Sequence, residues 1–464
     1  MTPQSIATND RFTPAYGQKD TQSALRLITC GSVDDGKSTL IGRLLLDSRA
    51  VLRDQLASAQ RSGTMDLAAF TDGLLAEREQ GITIDVAWRY FATPRRKFIM
   101  GDAPGHEQYT RNMVTAASQA DAAVILVDAL KLRWQEAKLD LLPQTRRHAL
   151  LAGLLRVPTL IFAVNKLDAV DAPEAAFPAI SAAIERLAAQ ARLDVAAIVP
   201  ISALEGHNVV TPAPEPQWCG YQGPTLREHL EAAPCREADP AEPLAFPVQW
   251  VESMAQAAHV DRGRRILWGR LAEGTLQVGT AVRVFPSGQT ATVVELLDAR
   301  RQPSTGITAG HSAGVILDRE LDISRGDWLL VDDGAAAQDT PLRSEIEATV
   351  AWMDVEPLVP GRLYWALHGH RWVKAKVREV RQCLDIQTLQ PQAAHALHAN
   401  EIGNVVLQVQ QALPIRPYAR SRTLGALILV DTATHHTAAA VLAGEPSCSA
   451  LRFAPASGTS GTMM

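Results

Sequence analysis

The residues best suited to chemistry begin at Gly31-Ser32-Val33-Asp34-Asp35-Gly36-Lys37-Ser38. Their spacing is G-x-x-x-x-G-K-[ST], a loop whose backbone N–H groups can surround phosphate oxygens. Lys37 is placed to reach the β- and γ-phosphates of a nucleoside triphosphate, and Ser38 to ligate Mg²⁺. Thr39 follows as the loop turns into a helix, whose N-terminus adds partial positive charge. Such a loop works only between a strand and a helix. Residues 25–30 are an apolar run that reads as a buried strand, and 39–46 read as the first turns of a helix.

Other short segments fit around the same ligand. Asp102-Ala103-Pro104-Gly105-His106 follows a predicted strand at 97–100. A carboxylate there can hold Mg²⁺, often through water, and Gly105 can offer its N–H to the γ-phosphate. His106 is the candidate for positioning the attacking water. Asn165-Lys166-Leu167-Asp168 follows a predicted strand at 159–164. The Asp168 carboxylate can accept the N1–H and exocyclic N2–H of guanine. Adenine offers no such donor pair, so this element points to GTP. Asn165 would brace the loop and meet the purine edge. Ser202-Ala203-Leu204 would aim a backbone N–H near Ala203 at guanine O6. Thr83, in Gly81-Ile82-Thr83-Ile84-Asp85, can close over the γ-phosphate, complete the Mg²⁺ shell, and let go once phosphate leaves. A strand beginning at Ile82 is compatible with that role. His368-Gly369-His370 resembles an H-x-G-H fragment, but it lies in a β-rich block and receives no catalytic role.

The elements that must position these groups can be read along the chain. At 464 residues the length suggests about three domains. Residues 1–23 are polar and aperiodic, and read as an arm. From 24 to 238, apolar strands alternate with helical stretches such as 176–191, which means an α/β domain with a mostly parallel sheet; with the phosphate loop and the guanine element it is expected to be an α/β P-loop GTPase domain. Past a Pro-rich linker, short β runs recur between Gly, Pro and Asp turns over 243–333 and again over 341–443. These two blocks are expected to be two all-β barrel domains. The tail at 444–464 is small and polar. A net charge of −5 does not suggest a nucleic-acid binder. The first residues lack a signal-peptide core, and no apolar run approaches membrane-spanning length. Five scattered cysteines without a C-x-x-C pair fit a reducing cytoplasm, not a disulfide framework or a cysteine-rich zinc site.

Taken together, these residues resemble a translational-type GTPase, like elongation factor Tu. Within that group, Asp35 departs from the V-D-H-G-K-T usual in elongation factors. The chain resembles the large subunit of bacterial heterodimeric sulfate adenylyltransferase. That likeness runs through Ala76-Glu77-Arg78-Glu79-Gln80-Gly81-Ile82-Thr83-Ile84-Asp85, Pro104-Gly105-His106-Glu107-Gln108-Tyr109 and Gln144-Thr145-Arg146-Arg147-His148. It continues through Tyr221-Gln222-Gly223-Pro224-Thr225 and Asp322-Ile323-Ser324-Arg325-Gly326-Asp327, and covers about residues 25–442.

The resemblance implies GTP and Mg²⁺ as cofactors and a GTP-hydrolysing, energy-coupling role. ATP and sulfate would become adenosine 5′-phosphosulfate and pyrophosphate on a separate small catalytic subunit. It implies a heterodimer, alone or in a higher assembly, with no nucleic-acid or membrane partner. Three departures stand out. Ala103 replaces the usual Thr, the segment 130–142 is longer, and the segment 47–73 is shorter. A rival reading is a translation factor delivering aminoacyl-tRNA, which shares the domain plan; Asp35, the acidic charge and the long shared segments favour sulfate activation. A chain that also carried an adenylylsulfate kinase would need a second phosphate loop, and none is present.

Overall fold

Parallel strands buried on both faces must be apolar along their whole length. β4 (Ala122–Asp128) and β5 (Thr159–Asn165) are apolar between their ends and buried at every residue, and β1 (Leu25–Cys30) is buried except at Arg26. The computed structural model describes residues 24–48, 67, 86–103, 110–136, 138–213, 218–235, 241–253, 265–332 and 340–444. The expected arm at 1–23 and most of the tail lie outside these, as do Thr83, Gly105 and His106.

The first sheet is mixed. Adding β2 (Ala87–Ala92), β3 (Lys97–Asp102) and β6 (Val195–Pro200), its order is β2-β3-β1-β4-β5-β6. Only the β2–β3 edge is antiparallel. The chain leaves β1 for one neighbour, β3, and later returns to the other, β4. That reversal of strand order opens a crevice at the carboxyl ends of the strands, where ligands bind in open α/β sheets. Helix α1 (Lys37–Asp47) covers one face. Its Leu40, Ile41, Leu44 and Leu45 form a helical stripe against Leu25, Leu27, Phe98 and Met100. On the other face pack α2 (Thr110–Gln119), α3 (Pro143–Leu154) and α4 (Pro173–Ala191). α5 (Leu226–Ala232) follows, started by a capping box in which Thr225 N–H donates to Glu228 and the Glu228 N–H donates to Thr225.

The remaining chain is β-rich, but only its last part is a barrel. The middle part holds β7 (Ala245–Ser253), β8 (Arg265–Arg270), β9 (Thr275–Gln277), β10 (Ala281–Phe285), β11 (Thr290–Leu297), β12 (Pro303–Ser304), β13 (Gly306–Thr308), β14 (Ser312–Leu317) and β15 (Trp328–Val331). β7 pairs with β15 through residues 245–247 and with β8 only from Val248 onward. β11 pairs with β10 through Thr290–Thr292 and with β14 only from Val293 onward. Each strand has a register shift at that point, between Val248 and Trp250 and between Val293 and Glu295. The two strands therefore switch from one sheet to another at bulged corners, and no registered residue of β7 pairs with both β15 and β8, nor of β11 with both β10 and β14. This corrects the expected pair of barrels: the middle unit is two sheets sharing two bent strands, with β9 and β13 paired apart from them.

The last part does close. It holds β16 (Leu342–Trp352), β17 (Leu363–His368), β18 (Arg371–Leu384), β19 (Pro391–Ala393), β20 (Ile402–Pro414), β21 (Ala426–Asp431) and β22 (Thr437–Ala443). The ring is β17-β21-β22-β16-β20-β18 and back to β17, with β19 on its margin. Here the pairings overlap: Ala348–Ala351 of β16 face β20 on one side and β22 on the other.

This barrel leans on the α/β unit through α3. Leu384, Leu389 and Ile402 join the same apolar cluster as Leu150 and Leu151. Arg146 donates from Nε to the Ile386 carbonyl (3.2 Å), and Tyr418 donates to the Leu155 carbonyl (3.1 Å). The middle unit and the barrel are joined by a buried charge cluster. Arg416 Nη1 lies 2.8 Å from Glu273 and 3.2 Å from Glu242, and its Nε donates to Thr340.

Candidate functional site

Strand ends, not helix faces, bring the candidate residues together. Because β1, β3, β4, β5 and β6 run parallel, their carboxyl ends share one edge. The phosphate loop leaves β1, Asp102 ends β3, Asp128 ends β4, Asn165 ends β5, and Ser202 lies just past β6.

The loop takes its shape from two left-handed residues, Asp34 (φ 62°) and Gly36 (φ 91°). Gly36 is required twice over: a Cβ there would sit 2.5 Å from Asn165 Nδ2. The carbonyls of residues 31–35 all receive donors. Lys37 Nζ donates to Gly31 O (3.2 Å) and Ser32 O (2.7 Å). Lys131 Nζ donates to Val33 O, Lys166 Nζ to Asp34 O (2.6 Å), and Asn165 Nδ2 to Asp35 O (2.9 Å). With five carbonyls engaged by lysine ammonium groups and an amide, and the Gly31 and Ser32 N–H groups engaged by His148 and Asp35, what the loop has left to offer a ligand is its other N–H groups. The amides of Lys37, Ser38 and Thr39 open helix α1 and have no intrahelical acceptors. Ser32 Oγ is buried with no hydrogen-bond partner among the described residues. A phosphate oxygen would supply both needs.

Charge in the site is finely balanced. Burial lowers the affinity of Lys37 for its proton, and the Asp102 and Asp35 carboxylates partly restore it. Asp102 is buried and accepts from Thr29 Oγ1 (3.2 Å), its registered partner on β1. His148, on α3, is fully buried and accepts the Gly31 N–H at Nδ1 (3.1 Å). Its Nε2 lies 2.9 Å from the Gln144 side-chain amide nitrogen. Burial, reinforced by the charges of Lys37 and Arg147, pushes the His148 pKa down to about 3 and keeps the ring neutral.

The base side is built from three loops. Asn165 is buried and bifunctional: its Nδ2 holds Asp35 O, and its Oδ1 accepts from Ala203 N–H (3.0 Å). The Ala203 amide expected to face the base is thus engaged. The neighbouring Leu204 amide has no acceptor among the described residues. Arg43 of α1 donates to the Ala203 and Leu204 carbonyls and fixes the far side of this loop. Lys166 is held at φ 64° by its bonds to Asp34 O and to Asp128 Oδ2 (2.7 Å). Asp168 sits in the 3₁₀ turn Leu167–Ala169, exposed and open to a ligand.

Ser38 and Asp102 are hard-oxygen donors of the kind Mg²⁺ prefers, set on the same strand edge beside Lys37. Thr83, Gly105 and His106 fall outside the described residues, so their roles stay with the sequence argument. His368 is buried and donates from Nε2 to the Leu424 carbonyl (3.1 Å), packed on Trp328 at the join of the two β units. That is a structural place and agrees with giving it no catalytic role.

Sequence reasoning missed three residues that shape the site: Asp128, Lys131 and His148. The only signal for His148 was its place in the shared Gln144–His148 segment. Lys131 lies within the lengthened stretch 130–142, where no role was carried over.

The comparisons with known proteins agree on the kind of protein. The family model of the elongation factor Tu GTP binding domain matches residues 22–233. The one described as GTP-eEF1A C-terminal domain-like matches residues 345–442. The chain is 42% identical over 427 residues to sulfate adenylyltransferase subunit 1 of Aeromonas salmonicida, covering 90% of this chain and 86% of that protein. It is 41% identical over 438 residues to the same subunit of Methylorubrum populi, covering 93% and 88%. Against the bifunctional enzyme CysN/CysC of Xylella fastidiosa it is 43% identical over 432 residues, covering 91% of this chain but only 66% of that longer protein. A nucleotide loop of this build, at the head of a match running through all three structural units, means that the chain belongs to the sulfate adenylyltransferase subunit 1 family of elongation factor Tu-like GTPases.

Proposed function

We propose that this chain binds and hydrolyses GTP and couples that hydrolysis to sulfate activation by a partner. ATP and sulfate become adenosine 5′-phosphosulfate and pyrophosphate on a separate catalytic subunit, with which this chain forms a heterodimer. The phosphosulfate anhydride is high in energy, so its formation needs a second, favourable reaction. The observation that carries the reading is the likeness to a subunit 1 protein over 90% of this chain and 86% of that protein, together with a phosphate loop whose carbonyls 31–35 are all turned onto donors.

Within this reading, Gly31 to Thr39 hold the phosphates, and Asn165, Lys166, Asp168 and the loop Ser202-Ala203-Leu204 hold guanine. Mg²⁺ would be held by Ser38 and Asp102, joined by Thr83, and when bound it neutralises charge developing on the phosphates. Lys37 and the loop amides stabilise the same charge. Gly105 offers its amide to the γ-phosphate, and His106 orients the attacking water. The domain division at 24–238, 243–333 and 341–443 belongs to the same proposal, as does a cytoplasmic location. Among the described residues no helix is long and apolar enough to cross a membrane, and the described cysteines are free thiols.

The test is co-purification with the catalytic subunit, followed by GTP hydrolysis assays with and without ATP and sulfate. Faster GTP turnover in the complete mixture supports the coupling role. Equal turnover with and without the partner sinks it, and GTP-dependent binding of aminoacyl-tRNA would replace it with a translation role.

A further inference from the structure

The phosphate loop of this chain contains a problem that a neighbouring loop solves. Asp35 places a carboxylate inside a loop built for anions, and that carboxylate is fully buried. Its Oδ2 accepts the Ser32 N–H at 2.6 Å, so one loop amide is turned onto Asp35. Its Oδ1 meets Lys131 Nζ at 2.9 Å. The same ammonium group donates to Val33 O, so Lys131 binds the loop at two points.

Lys131 is itself held in place. Asp128 ends β4, accepts the Leu130 N–H at Oδ1 (3.0 Å), and so starts the 3₁₀ turn Ala129–Lys131. Asp128 Oδ2 lies 3.8 Å from Lys131 Nζ and 2.7 Å from Lys166 Nζ. One carboxylate thus sets two lysines, and each lysine holds a different loop carbonyl, Val33 or Asp34.

We propose that Lys131 is a positioning residue for the nucleotide: it neutralises Asp35 and fixes the phosphate loop in the shape that receives the phosphates. The inference rests on the GTP-binding reading above. Without Lys131, the buried Asp35 carboxylate would lose the cation bonded to its Oδ1, and Val33 O would lose its donor. Without Asp35, the need for a cation at 131 falls away. The two positions are therefore coupled, and the coupling has a sign.

The experiment uses the full chain and a fluorescent GDP. Dissociation constants are measured for the wild type, Lys131→Met, Lys131→Arg, Asp35→Asn and the double variant Asp35→Asn with Lys131→Met. Loss of one charge-assisted contact predicts weaker binding by about 10- to 100-fold for Lys131→Met. Lys131→Arg should stay within about threefold of wild type, since the charge and a donor remain. The double variant should bind more tightly than Lys131→Met alone. GTP turnover in the complete sulfate-activating mixture should show a raised KM for GTP with kcat little changed. Binding by Lys131→Met within twofold of wild type overturns the proposal, as does a double variant no tighter than Lys131→Met. If Lys131→Met does not fold, a folded double variant that binds GDP supports the coupling, and an unfolded one overturns it. A wild-type chain that binds no guanine nucleotide would instead defeat the GTP-binding reading itself.

Discussion

Removing the Asn165 side chain should disconnect the phosphate side of the site from the base side. That side chain is 2% exposed. It spans from Asp35 O (2.9 Å) to Ala203 N–H (3.0 Å). Asn165→Ala leaves one buried carbonyl and one buried amide without partners. Each orphaned group costs about 1–3 kcal/mol, so the GTPase domain should lose about 2–4 kcal/mol once partial hydration of the gap is allowed for. Asn165→Asp separates the two halves of the argument. It keeps an acceptor for Ala203 N–H but sets an oxygen against Asp35 O, where a donor stood. It should therefore be at least as damaging as alanine, although it is nearly the same shape. The assay is urea unfolding without nucleotide, paired with exchange of the Ala203 amide and with GDP affinity. Both variants should expose that amide or the loop, and both should weaken GDP. A loss under about 0.5 kcal/mol for alanine, or wild-type GDP affinity in the aspartate variant, would refute the reasoning.

Two further outcomes follow from the same geometry. Asp168→Asn exchanges an acceptor pair for a mixed donor and acceptor at the guanine edge. It should cut GDP affinity by about 100-fold or more and shift preference toward a xanthine nucleotide, which presents a carbonyl in place of the exocyclic amine; competition binding checks this, and unchanged GDP preference counts against the guanine assignment. The buried histidines predict an acid-sensitive fold. Burial depresses the His148 pKa to about 3 and the His368 pKa to about 4, both below the unfolded value of about 6.5. The unfolded chain thus binds more protons between those values, so stability is full above about pH 6.5 and falls as the pH drops toward 4. Urea midpoints measured from pH 7.5 to 5 should decline, and replacing His368 with Asn should flatten the decline.

How much of this was legible depended on the range of the interaction. The phosphate loop was readable because Gly31, Gly36, Lys37 and Ser38 act through local backbone geometry, and the strand before them and helix after them carry their own periodicity. β1 spans Leu25–Cys30, as its apolar run indicated. Lys131 and His148 were not readable, because their partners Asp35 and Gly31 lie 96 and 117 residues away. A basic residue in a polar loop carries no sign of what it will touch. The failure in the middle β unit has the same origin. The apolar runs in β7 and β11 are readable as strands, but the bulges at Val248–Trp250 and Val293–Glu295 decide how neighbouring pairings join. In the last unit long strands such as Leu342–Trp352 pair on both sides over the same residues, and the sheet closes.

The central claim is that GTP hydrolysis on this chain drives sulfate activation on its partner. The most direct measurement is the yield of adenosine 5′-phosphosulfate at fixed ATP, sulfate and pyrophosphate, with the complete heterodimer. The account predicts that GTP raises the yield above its value without GTP, that phosphate release from GTP rises with it, and that a non-hydrolysable GTP analogue gives no such increase. A yield that is the same with GTP, with the analogue and with neither would contradict it.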